Sequence, residues 1–126
     1  HIRVFENLIT SKDFDFIGFN TGLEEFGRKS GIPQKAIYRA QSVFEELCVQ
    51  IILPALSDPF ALGIAVEYSQ DEETVTMQIK YSGARFNPKE SDNTLSLKIV
   101  ENAAESIEYS EICEDDFTNF AVLQIK

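Results

Sequence analysis

The chain has 126 residues, 44% of them hydrophobic and 25% charged, with a formal net charge of −10. Residues 1 to 126 read as a single domain large enough to bury its own core, with a folded rather than a disordered composition. The acidic balance speaks against nucleic acid and anionic membrane surfaces, which are bound through clustered Lys and Arg.

Acidic runs at Asp71-Glu72-Glu73 and Glu114-Asp115-Asp116 have no compensating basic stripe and read as solvated surface. No apolar run approaches the roughly 20 residues that span a bilayer, so no direct membrane insertion is expected. No basic start leads into an apolar stretch, so no signal peptide is visible. The two cysteines, Cys48 and Cys113, lack metal or redox spacing, and a reduced, cytoplasmic setting is the expectation. The only histidine is His1, which leaves His-dependent triads and His-based metal sites aside. A chain that opens on His1 rather than Met reads as a fragment of a larger protein.

In chain order, residues 2 to 9 suit an edge strand. Phe16, Phe19, Leu23 and Phe26 recur at helical steps and form one stripe,. Gly31 suits a left-handed helix end, and Pro33 suits the first turn of the next helix. That second helix is the best marked, with Ile37, Ala40, Phe44, Leu47, Ile51 and Ala55 on one stripe between residues 33 and 56. Pro54 should end or kink it.

Leu62, Ile64, Val66 and Tyr68 alternate with small or polar residues, and so do Val75, Met77, Ile79 and Tyr81. This predicts two strands with one face on the core, joined by a hairpin turn at 69 to 73. A third helix is expected over 94 to 105 through Leu95, Ile99, Val100 and Ala103, then a hairpin of 107 to 112 with 117 to 125. The order β-α-α-β-β-α-β-β predicts an α+β fold, a two-layer sandwich with helices on one face of a mixed, mainly antiparallel sheet.

Three stretches are placed for chemistry. Glu46 and Gln50 stand one helical turn apart beside the apolar stripe. The loop Tyr81-Ser82-Gly83-Ala84-Arg85-Phe86-Asn87-Pro88 leaves the end of a strand. Thr94-Leu95-Ser96-Leu97 opens a helix whose free N–H groups could face an anion. Each also has a plain structural account: Glu46 as a solvated helix residue, Gly83 as a turn glycine, Thr94 and Ser96 as helix-capping residues.

With these stretches in this order, the chain resembles the ATP-binding domain of the histidine-kinase-like (GHKL) ATPases, most closely the anti-sigma-factor serine kinases, over nearly its whole length. The resemblance implies a Bergerat-like ATPase fold with Glu46 as catalytic base, Gln50 as metal and cofactor ligand, and Tyr81, Gly83, Thr94 and Ser96 around ATP and Mg²⁺. The chain departs from the family at several of these positions. Gln50 stands where the family has the Asn that holds Mg²⁺, a cation that tolerates little geometric error. Tyr81 replaces an adenine-binding Asp, Thr94 and Ser96 replace two glycines, and the nucleotide lid is short. The expectation is therefore a regulatory module that binds a protein partner or pairs as a homodimer, with ATP and Mg²⁺ binding weak or absent. The alternative is an active ATP-dependent Ser/Thr protein kinase. Two candidate contact surfaces follow: the outer sheet face, and the N-terminal strand and helix with their Phe16-to-Phe26 stripe.

Overall fold

The computed structural model describes residues 2–126. Strand β1 (Ile2–Ile9) leads to helices α1 (Phe16–Ser30) and α2 (Gln34–Val43). The second helix runs on without a break through a π-helical segment (Phe44–Ile52) into the short α3 (Leu53–Ala55). The hairpin β2 (Leu62–Ser69) and β3 (Thr74–Tyr81) follows, then a 3₁₀ turn (Pro88–Glu90), α4 (Thr94–Ala103), and the hairpin β4 (Ala104–Glu114) and β5 (Phe117–Ile125). The strands lie in the order β1-β2-β3-β5-β4.

Every neighbouring pair is antiparallel, which corrects the expectation of a mixed sheet. The reason is topological. The passage from β3 through α4 to β4 does return the chain in the direction of β3. However, β4 takes the outer edge and β5 folds back between the two, so the parallel strands never touch.

Strict alternation builds the inner face. Leu62, Ile64, Val66 and Tyr68 of β2 are buried, as are Val75, Met77, Ile79 and Tyr81 of β3. Direct registration places Ile64 beside Ile79 and Ile79 beside Ala121, so the core rows run straight across the sheet. Phe44, Leu47 and Ile51 belong to the same buried cluster as Val75, Met77 and Ile79. The second helix and the sheet centre thus share one core, as the stripe predicts.

α1 begins where Asp15 Oδ1 accepts from the Gly18 amide at 2.8 Å. It ends at Gly31, whose φ of 75° is the left-handed conformation that glycine adopts without strain,. A Cβ added to Gly27 would come 2.4 Å from Ile37 Cγ1, so this glycine lets α1 and α2 approach closely. Phe19 stacks on Phe44 with ring centroids 3.8 Å apart, and Phe5 of β1 meets Phe19 edge-on at 5.5 Å. The stripe proposed as a contact surface is thereby largely covered. Phe19 and Leu23 are buried, and Phe16 and Phe26 pack against the core.

Ala55, which the helical stripe predicts buried, is exposed at the end of the helix, beyond the π segment. The buried residues here step by fours: Val43 and Phe44, Leu47 and Cys48, Ile51 and Ile52. In an α-helix each step of four drifts by about 40°, from 3.6 residues per turn. The wider π turn offsets that drift and holds all three pairs against the sheet. At α4 the buried row is Ser96, Val100 and Ala103, whereas Leu95 is 73% exposed rather than part of the stripe.

No helix among the described residues is long and apolar enough to cross a membrane. Cys48 is fully buried, which pushes its thiol pKa up, and Cys113 is exposed. A thiol reagent such as DTNB should therefore modify one cysteine in the native protein and both in denaturant. Rapid native modification of both would show that the helix layer opens readily.

Candidate functional site

The three predicted stretches converge where the helix layer meets the end of β3. Glu46, half-buried on the π segment, accepts from Ser96 Oγ at 2.8 Å through its Oε1. This bond joins two predicted site residues 50 positions apart. Gln50 is exposed, and its Nε2 donates to Glu45 Oε2 at 3.0 Å. A step of five is the hydrogen-bonding step of the π helix, and here the Gln50 side chain is paired with Glu45 while Glu46 holds Ser96.

The helix N-terminus is closed by its own chain. Asn93, not Thr94 or Ser96, is the cap: its Oδ1 accepts from the Ser96 amide at 3.2 Å,. The Asn93 amide donates to Ser91 Oγ at 3.1 Å, and the Thr94 amide to the Asp92 carbonyl at 2.9 Å. Three of the amides that would greet a phosphate are therefore already bonded. Thr94 is exposed, while Ser96 is buried with its hydroxyl on Glu46.

Tyr81 is buried, and its hydroxyl donates to the Phe86 carbonyl at 2.6 Å. Burial, the largest cause, holds its pKa well above the ordinary tyrosine value,. The residue braces the loop from below instead of presenting a group to a ligand. Gly83 takes φ 95°, a left-handed turn position with open space around it, and its carbonyl accepts from Thr118 Oγ1 at 2.6 Å.

The residue that organises this loop, Asn119, escaped the sequence reading. It is fully buried on β5. Its Oδ1 accepts from the Phe86 amide at 3.0 Å and from the Tyr109 hydroxyl. Its Nδ2 donates to the Ala84 carbonyl at 3.2 Å and the Tyr81 carbonyl at 3.4 Å. The signal was available: Asn119 shares the inward register of Ala121, Leu123 and Ile125, where an amide needs a structural reason.

Between the end of the π segment and the loop lies a cleft of 560 Å³, lined by Gln50, Ile51, Pro54, Ala55, Phe86 and Asn93, with Glu90 and Asp92 on its wall. Its lining carries carboxylates and no Lys or Arg. The neighbouring Arg85 is engaged with Glu90 at 3.3 Å and Glu111 at 3.7 Å, and lies over the Tyr109 ring. Among the described residues no group of three or more His, Cys, Asp or Glu is placed to hold a metal ion. The would-be metal ligand is turned to Glu45, the would-be phosphate amides are capped, and the cleft is acidic. Compared with protein-family models and with curated proteins, the chain gives no match.

Proposed function

We propose that this chain is a regulatory protein-binding module built on a scaffold like that of the histidine-kinase-like ATPases, with nucleotide binding weak or lost. The observation that supports this reading is the internal satisfaction of the candidate site. Ser96 and Glu46 hold each other, Asn93 caps the helix, and Tyr81 is committed to the Phe86 carbonyl. A nucleotide would have to break these bonds and enter against Glu90 and Asp92, at a cost its own contacts must exceed.

A working Ser/Thr kinase is the second reading. The contact between Glu46 and Ser96 favours it, because it sets the expected base against the expected phosphate loop. Calorimetric titration with ATP and ADP, with and without Mg²⁺, separates the two. The binding-module reading expects dissociation constants weaker than about 1 mM. Mg²⁺-dependent binding in the micromolar range would overturn it and promote the kinase.

A further inference from the structure

Charge is placed unevenly along the chain. Asp and Glu number 21 against 11 Lys and Arg, yet between Glu25 and Glu45 stand Arg28, Lys29, Lys35 and Arg39 and no carboxylate. Arg28 and Lys29 are paired with Glu25. Lys35 and Arg39, one turn apart on α2, have no side-chain carboxylate within ion-pair distance among the described residues. Arg39 Nη1 donates to the Lys126 carbonyl at 3.3 Å, which brings the end of the last strand beside α2. Lys35, Arg39 and Lys126 line a groove of 160 Å³ with Ala36 and Ile125, in which Glu73 is the one acidic side chain among the described residues. Lys35 and Arg39 also line a second groove, of 330 Å³ between α2 and α4, with Tyr38, Ser42, Ile99 and Asn102 and, among the described residues, no carboxylate. Tyr38 is 53% exposed there. This face has the reverse polarity of the acidic cleft beside Gln50.

We propose that these two grooves dock a short acidic segment of a partner protein, with its carboxylates on Lys35, Arg39 and Lys126 and an apolar side chain against Tyr38 and Ile99. This rests on the binding-module reading and names the chemistry of the partner. Exposed ion pairs contribute only about 0.2–1 kcal/mol each, so the cations set orientation more than affinity. The affinity comes from the apolar contact, and Tyr and Arg are the residue types that concentrate binding energy at interfaces. A free anion would meet the cations and leave Tyr38 and Ile99 uncovered. Arg39 spends one N–H on the Lys126 carbonyl, and its other donors remain for a carboxylate. Nucleic acid is the poorer match. It is held by neutralising a run of phosphates, whereas three cations gather here on a chain of net charge −10,. That same charge repels an acidic segment from the rest of the surface, so it favours docking at this face alone.

An NMR titration of the full chain with an acetylated, amidated peptide of Asp-Glu-Leu repeats tests this. Saturable shifts are expected at the amides of residues 35–42 and 99–103, with Kd between about 0.1 and 1 mM. Lys35→Glu with Arg39→Glu should abolish saturation. Arg3→Glu with Lys12→Glu, the same change of net charge at exposed positions elsewhere, should leave binding unchanged. Because Arg39 is half-buried, Lys35→Glu alone, at an exposed residue, is the second variant and should weaken binding about threefold. Tyr38→Ala, and separately a peptide of Asp-Glu-Gly repeats, should each weaken it about fivefold or more. No saturable shift at these amides up to about 5 mM peptide would overturn the proposal. So would binding indifferent to the charge reversal, or tighter binding of single-stranded DNA of equal charge at the same amides. Each of these results leaves the binding-module reading standing, because that reading falls only to tight nucleotide binding.

Discussion

Phe44→Ala is expected to lower the unfolding free energy by about 3–5 kcal/mol, the range for deleting a fully buried aromatic ring. Phe44 is wholly buried at the junction of α2 and the π segment. It is shared by three aromatic neighbours: Phe19 stacked at 3.8 Å, Phe14 edge-on at 5.9 Å, and Phe16 stacked at 6.0 Å. Its loss opens a void between α1 and the second helix, and the surrounding rings can close that void only in part. For a domain whose total stability is on the order of 5–15 kcal/mol, this is a large share. Urea unfolding followed by circular dichroism measures it, with an unchanged slope showing that the unfolded state is the same. A loss below about 1 kcal/mol would mean that the aromatic cluster is looser than its geometry indicates.

Asn119→Ala should cost about 2–4 kcal/mol and release the loop 82–93. The substitution removes the acceptor of the Phe86 amide and the Tyr109 hydroxyl, and a donor to the Tyr81 and Ala84 carbonyls. Stranding buried polar groups costs more than the net value of the bonds themselves. The specific readout is amide hydrogen exchange: the Phe86 N–H should lose protection by more than the global stability loss accounts for. Unaltered relative protection at Phe86 would show that the loop is held by its own contacts, such as Tyr81 to Phe86, rather than by Asn119.

The strand pair β2 and β3 was legible because alternation of the kind seen from Val75 to Tyr81 has one physical explanation, a sheet with one wet face. The second helix was legible in extent but not in winding. Residues stepping by three and four fit an α-helix, whereas the same apolar positions also fit a helix that widens at Phe44. Within the widened segment Gln50 turns toward Glu45. α4 ends at Ala103 and β4 starts at once at Ala104, two residues before the expected helix end. Ala104 and Glu105 have good helix propensity, and strand pairing overrides it. Mainly antiparallel pairing was legible, but the absence of any parallel pair was not, because insertion of β5 between β3 and β4 is a choice among edges of the sheet. At the candidate site, it was the family resemblance, not the residue types, that implied proximity of the second helix to the start of α4, and the bond from Ser96 to Glu46 provides it. What the resemblance did not convey is that the polar groups would satisfy one another. Asn119 did carry a signal, an amide in a row of apolar inward residues.

On the proposed reading, the groups around Glu46, Gln50, Tyr81 and Ser96 hold the domain together instead of holding a nucleotide. A ¹H–¹⁵N correlation spectrum recorded during titration with ATP and Mg²⁺ tests it most directly, because it reads those positions one by one. No saturable shift is expected at the amides of residues 46, 50, 82–87 and 94–97 up to about 1 mM ligand. Saturable, Mg²⁺-dependent shifts centred on those amides would contradict it.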